Sequence, residues 1–184
     1  MLTHVPRRTQ ARQIYNVRRK MMKHSFAIFA ALTCLMSSFV SGSPPYCVPP
    51  ALAPLENEKP TAYLAKISDL PQSVVDAVKT AMRGGKLHMA DRGGAWNETD
   101  DVDDPSLPFR RLLWATEVKK YFVIHYEMGG IGYSTHFLVI SPEEKTGNRR
   151  LVWSAVSFSK ASDFDEFFRL LQAGKIDSDP RFIH

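Results

Sequence analysis

Two histidines and a glutamate flank a glycine-rich turn, and these residue types can bind a divalent metal or exchange protons. His125 and Glu127 precede the sequence Gly-Gly-Ile-Gly, and His136 follows it. A two-residue turn at 130–131 would have glycine in its first central position, as a type II′ turn requires. In that register His125 pairs with His136, and Glu127 pairs with Ser134, so the four side chains share one face. The pattern predicts a rigid patch that could support a metal-assisted hydrolase.

A second interpretation treats these side chains as the solvent-facing side of an ordinary antiparallel sheet, where alternation alone places polar residues. The register is also open, because a type I′ turn at 129–130 would pair His125 with Ser134 and separate the two histidines. A metal site would need a further donor, for which His88 is the candidate. The sequence therefore favours a non-catalytic protein, with the hydrolase as the alternative, and it predicts no bound metal or cofactor.

The turn also carries residues suited to contact another protein. Three glycines in four residues fit a tight turn with positive φ, or a backbone that closely approaches another chain. Trp96 lies just before an acidic stretch at 100–104, where a large amphipathic ring could contact a partner. We expect the loops 91–108 and 128–134 to form one surface. The predicted binding residues are Trp96, Gly129, Gly130, Ile131, Gly132 and Tyr133.

The apolar periodicity predicts the elements that position these loops. Strands are expected at residues 87–90, 110–117, 121–128, 133–141 and 150–158, and helices at 69–82 and 163–173. The short intervals between the strands favour antiparallel hairpins over helical crossovers. The order predicts an α+β fold, in which an antiparallel sheet of about five strands carries an N-terminal and a C-terminal helix on one face.

The N-terminal segment has the three parts of a secretory signal peptide. Residues 1–23 contain seven Lys and Arg residues and no acid, residues 26–40 are mostly apolar, and small residues lead up to Gly42. A mostly apolar run of fifteen residues is shorter than the roughly 20 residues that a membrane-spanning helix needs. We therefore expect a signal peptide at 1–42 and a periplasmic or secreted mature protein without a stable membrane span.

Removal of this leader changes the charge of the protein. All 19 acidic residues lie after Gly42, together with 17 of the 24 basic ones, so the net charge falls from +5 to −2. The remaining basic residues are scattered in pairs, and this pattern argues against a nucleic-acid partner.

The remaining chain is predicted to have three parts. Residues 43–60 contain six prolines, which prevent regular hydrogen bonding and predict an extended linker. Residues 61–177 are expected to form a single domain, and residues 178–184 a C-terminal tail. Small size, a proline-rich segment and the lack of a catalytic motif favour an exported binding module that acts on another protein or an envelope component. An inhibitor or an immunity-type protein is one form of such a module.

Overall fold

A computed structural model describes residues 47–82, 85–102 and 104–179 of the chain. The predicted signal peptide, residues 43–46 of the predicted linker and residues 180–184 of the predicted tail lie outside these described residues. The fold belongs to the compact unit Val48–His184. Within the part of the chain that is described, no helix has both the length and the apolar character needed to cross a membrane.

The fold is an antiparallel meander with two helices, which confirms the α+β class. Each strand pairs with the next one along the chain, in the spatial order β1-β2-β3-β4-β5-β6. Helix α1 connects β1 to β2, and helix α2 connects β5 to β6. The elements are β1 (Tyr63–Leu64), α1 (Gln72–Ala81), β2 (Arg110–Val118), β3 (Tyr121–Met128), β4 (Ser134–Ile140), β5 (Leu151–Ser157), α2 (Phe164–Gln172) and β6 (Asp177–Ser178).

Among the described residues, six strands form this sheet instead of the predicted five. The four long strands lie where the alternation predicts them, but the strand predicted at 87–90 is wrong. In that segment only Ala90 pairs with the sheet, through an isolated bridge to Arg111. The two additional strands, β1 and β6, have two residues each and are therefore too short to produce a periodic signal.

The two helices cover opposite faces of the sheet, so their predicted placement on one face is wrong. Val74 and Val78 of α1 pack in a cluster with Ile124 and Leu138. Phe167 of α2 instead contacts Phe137, with ring centroids 4.9 Å apart, on the other face. Consecutive strand residues point to opposite faces. The sheet is consequently the middle layer of three, and its central strands are buried on both sides.

The described part of the proline-rich segment, which the sequence predicts as an extended linker, packs on the domain. Leu52 and Leu55 are fully buried, and a short 3-10 helix spans Ala53–Leu55. Prolines remove backbone donors but leave neighbouring apolar side chains able to pack. At the other end of the chain, Asp179 is buried and Ser178 belongs to β6, so the start of the predicted tail is also part of the fold.

Candidate functional site

The β3–β4 hairpin has a register one residue away from the prediction. His125 pairs with Phe137, Tyr126 with His136, and Met128 with Ser134, so residues 129–133 form the connection. The predicted pairing of His125 with His136 is wrong, and so is the alternative pairing of His125 with Ser134. A one-residue slip moves a side chain to the other face. His125 and Glu127 therefore lie on the α2 face, whereas Ser134 and His136 lie on the α1 face.

Gly129 gives the physical reason for the slip. Its N–H donates to the carbonyl of Phe109 at 2.9 Å, and the N–H of Gly130 donates to the carbonyl of Glu98 at 3.2 Å. A Cβ at Gly129 would overlap the carbonyl oxygens of Asn97 and Glu98 and lie 2.6 Å from the carbonyl carbon of Glu98. The glycine therefore continues along β2 and the preceding loop instead of turning directly into β4.

His125 is a fully buried imidazole with both ring nitrogens in use. Its Nδ1 lies 3.1 Å from the carbonyl oxygen of His136, and its Nε2 accepts from the N–H of Ala161 at 3.3 Å. These contacts fit the neutral tautomer with the proton on Nδ1. The ring also stacks on Phe137, with centroids 4.0 Å apart. Burial lowers the pKa of His125 to about 4, so the side chain acts as a neutral bridge within the core.

His136 is buried in a different environment. Its ring stacks on Tyr126, with centroids 5.0 Å apart, and its Nε2 lies 2.9 Å from the hydroxyl oxygen of Ser134. A hydroxyl beside an imidazole is the pair found in nucleophilic catalysis. Here, however, the pair lies across the sheet from the carboxylate of Glu127, and the three residues predicted as a catalytic set do not converge.

Glu127 is the centre of a polar cluster at the end of the sheet. Its side chain is fully buried, and one carboxylate oxygen accepts from Arg111 Nε at 2.6 Å. The other oxygen accepts from Lys160 Nζ at 2.8 Å and from the hydroxyl of Tyr133 at 2.9 Å. We call these four residues the Glu127 cluster. The cluster joins β2, β3, the β3–β4 loop and the segment before α2.

The electrostatics of the Glu127 cluster keep the carboxylate ionised. Burial alone would raise the pKa of Glu127, but hydrogen bonds from Lys160, Tyr133 and Arg111 lower it below its ordinary value. Hydrogen bonds of Lys160 with Glu127 and with Tyr133 raise the pKa of Lys160. A carboxylate that accepts three hydrogen bonds and faces two cations holds its surroundings together and is poorly suited to proton transfer.

The predicted binding loops are neighbours. Thr99 forms a parallel bridge with Gly130, beside the Gly129 contact described above. Trp96 is half-buried beneath the guanidinium of Arg111, whose Cζ lies 4.9 Å from the ring centroid. Trp96 thus supports the Glu127 cluster from outside. No atom lies within 4 Å of the position that a Cβ would take at Gly132, so no close contact requires glycine there.

A third segment, residues 158–161, joins these loops and was not predicted as part of the site. The N–H of Ala161 donates to His125, its carbonyl accepts from Trp114 at 2.8 Å, and the hydroxyl of Thr135 donates to the carbonyl of Ser159 at 2.9 Å. These bonds fix the backbone that carries Phe158, which is 84% exposed. The only signal in the sequence was an apolar residue between two serines where a strand was expected to end.

The large exposed apolar side chains concentrate at this end of the sheet. Ile131 is 97% exposed at the tip of the β3–β4 loop, and Phe109 and Val102 are exposed in the segment whose backbone contacts this loop. Among the described residues only Tyr63, on the edge strand β1, is a large exposed hydrophobe elsewhere. We define the loop-end surface as residues 96–102, Phe109, residues 129–133 and residues 158–160.

Neither the metal-binding side chains of the described residues nor the comparisons with known proteins assign a chemistry to this surface. The described ranges contain no group of three His, Cys, Asp or Glu side chains that could hold a metal ion, and His88 is exposed before the bridge at Ala90. No protein-family model, curated protein or solved structure matches the chain. The proposals below therefore depend on the geometry and chemistry of the loop-end surface.

Proposed function

We propose that this protein is an exported, non-catalytic binding module that recognises another protein of the cell envelope through its loop-end surface. The basic and apolar leader at 1–42 supports export to the periplasm or the exterior. The mature chain is close to neutral, which suits a protein partner better than a nucleic acid.

One observation carries the proposal: exposed apolar side chains are displayed on a backbone that buried bonds hold in place. Isolated exposed hydrophobic residues are ordinary, but their concentration on one surface is typical of interaction sites. Ile131 and Phe158 have almost no packing of their own, whereas the segments that carry them are tied to Glu127, His125 and Thr135. A surface that is already ordered loses little conformational entropy when a partner binds.

Affinity capture tests the proposal. The purified protein is immobilised and exposed to envelope extract from the cells that produce it, and bound proteins are quantified. We expect one partner at a stoichiometric ratio, and we expect Ile131→Asp or Trp96→Ala to reduce its recovery. Because Ile131 is 97% exposed, its substitution should change the stability by less than about 0.5 kcal/mol.

Lys145 provides the matched control, because it is exposed in the β4–β5 loop at the opposite end of the sheet. Lys145→Asp should leave the recovery of the partner unchanged. Equal recovery with the wild type, Ile131→Asp and Lys145→Asp would contradict the proposed surface, and recovery of nothing above background would contradict the binding function itself.

A further inference from the structure

We propose that the β3–β4 loop is the occluding element of an inhibitor: Ile131 enters the cleft of an envelope enzyme whose cleft is lined with Lys and Arg and which acts on an anionic polymer. This inference rests on the proposed binding function and specifies the partner and the consequence of binding.

The shape of the loop is the first argument. Ile131 protrudes between Gly130 and Gly132, neither of which has a side chain to widen the tip, and it is exposed over nearly its whole surface. A narrow convex tip with one branched apolar side chain is complementary to a concave apolar pocket. Pockets of that kind on proteins are mostly ligand and active sites.

The fixation of the loop at both ends is the second argument. At its start, Gly129 is held by backbone hydrogen bonding to Phe109 and lies against the backbone of Glu98. At its end, the Tyr133 hydroxyl donates to the buried carboxylate of Glu127, and Lys160 lies over the Tyr133 ring at 5.1 Å. A loop fixed at both ends can insert into a cleft without the ordering cost that a mobile loop would incur.

The third argument is the negative charge beside the loop, which indicates the kind of enzyme that the loop would enter. Thr99 and Gly130 form a parallel bridge, so the two backbone segments run in the same direction. Asp100 and Asp101 therefore follow Thr99 in the same direction as Ile131 follows Gly130. Both acids are exposed, and within the described ranges no ion pair includes them. Of the cations near the loop, Arg111 and Lys160 are already paired with Glu127, and Arg110, opposite Met128, has no ion pair with either acid.

The tip of the loop is therefore apolar with an uncompensated negative flank. Such a surface complements a pocket bordered by Lys and Arg. Enzymes that hold an anionic polymer need basic side chains of this kind in their clefts, and the acidic flank would occupy the positions that the polymer's negative charges normally take.

The acidic flank is held in position by Asn97. This side chain is buried, and its amide nitrogen donates to the carbonyls of Asp104 at 2.9 Å and Leu107 at 3.0 Å. The carbonyl of Asp101 also lies 3.4 Å from the hydroxyl of Thr99. These contacts order the backbone on either side of the acidic residues, and the Thr99–Gly130 bridge places that backbone next to the loop.

The test uses the partner captured through Ile131. The purified partner is assayed on two anionic polymers, peptidoglycan and single-stranded DNA, and on neutral amylose, with increasing amounts of the wild-type protein. We expect hydrolysis of one anionic polymer to stop at an equimolar ratio and Ile131→Asp to abolish the inhibition. The double variant Asp100→Asn/Asp101→Asn should weaken binding about tenfold at low salt, and this difference should disappear near 0.5 M salt because the charges are then screened.

Glu143→Gln/Glu144→Gln is the matched control, because it also removes two exposed acids but from the opposite end of the sheet. It should inhibit as the wild type does. A partner that binds through Ile131 but keeps its activity, acts only on amylose, or binds the Asp100/Asp101 variant normally would overturn this inference and leave the binding function intact. Failure to capture any Ile131-dependent partner would instead overturn the proposed function, and this inference with it.

Discussion

The two ends of the central sheet are built in opposite ways. At the loop end, a fully buried carboxylate pairs with Arg111 and Lys160, and large apolar side chains point into solvent. At the other end, the ion pairs Lys119–Glu58 and Arg150–Glu144 are exposed on both partners. None of the large exposed hydrophobes among the described residues lies in the connections at that second end, 119–120 and 141–150.

This difference distinguishes an ordinary solvated surface, with exposed ion pairs, from the loop-end surface that we propose binds a partner. Exposed ion pairs contribute little stability and tolerate substitution. A buried carboxylate costs several kcal/mol to desolvate unless its partners compensate. The chain maintains that costly arrangement beside its most exposed apolar residues, which is why we propose that the loop end binds the partner.

Removal of the two carboxylates should give the largest difference between the ends. Glu127→Gln should lower the free energy of unfolding by about 3 kcal/mol, because the buried side chain loses the charge-assisted hydrogen bonds from Arg111 and Lys160. Glu144→Gln should lower it by less than about 1 kcal/mol, because its ion pair is exposed. Urea denaturation of both variants measures the two values. Similar values for the two variants would show that the ends do not differ in the way described.

Acidification should weaken the loop end through His125. Its pKa is about 4 in the fold and about 6.5 when unfolded. Since the unfolded state takes up the proton first, the contribution is complete above pH 6.5 and is lost as the pH falls towards 4. The expected slope is about 1.4 kcal/mol per pH unit, with a total of roughly 3 kcal/mol.

His125→Gln should flatten this slope, because glutamine keeps a donor and an acceptor but does not titrate in this range. His88→Gln, at an exposed histidine, is the control and should keep the slope of the wild type. Urea denaturation at intervals from pH 4 to 7 provides the comparison. A slope that survives His125→Gln would mean that another group controls the acid response.

Two glycines of the same loop should respond differently to alanine. Gly129→Ala should cost about 2 kcal/mol, because the new methyl group overlaps the backbone of Asn97 and Glu98. Gly132→Ala should leave stability unchanged within about 0.5 kcal/mol, because nothing lies near that position. Thermal unfolding of the two variants measures this difference in stability. If Gly132→Ala were the more damaging substitution, the close approach at Gly129 would not be what fixes the loop.

The smallest effect is expected at the opposite end, in the β2–β3 turn. Lys119 and Lys120 have φ values of 49° and 69°, a conformation that L side chains adopt at some cost. Lys120→Gly should relieve this strain and raise the free energy of unfolding by about 0.5 kcal/mol. Affinity for the captured partner should not change, and a change in affinity would indicate that this turn contributes to binding.

The sequence predicted the long strands and both helices because each has a clear apolar period. It did not predict the faces that the helices cover. The run Phe-Val-Ile in β3 was itself a sign of burial on both faces, since a strand with one exposed face alternates more strictly. The two edge strands have only two residues each, too few to show the alternation of apolar and polar residues, and so could not be predicted.

The candidate site was harder to predict because its residues come together only in the fold. The hairpin register depends on contacts of Gly129 with Phe109 and Glu98, which are distant in the sequence. Because of that one-residue slip, the predicted His/Glu set does not share one face of the sheet. Glu127 was singled out, but its partners Arg111 and Lys160 come from other elements, and no local pattern connects them.

Site-specific photocrosslinking in the producing cells tests the central claim most directly. A photoreactive residue is placed at position 132, where the surroundings are open, or at position 145 in the opposite loop. We predict a single crosslinked adduct with an envelope protein from position 132, which is lost when Ile131→Asp is added, and no adduct from position 145. An adduct with the same protein from position 145 but not from position 132 would contradict it.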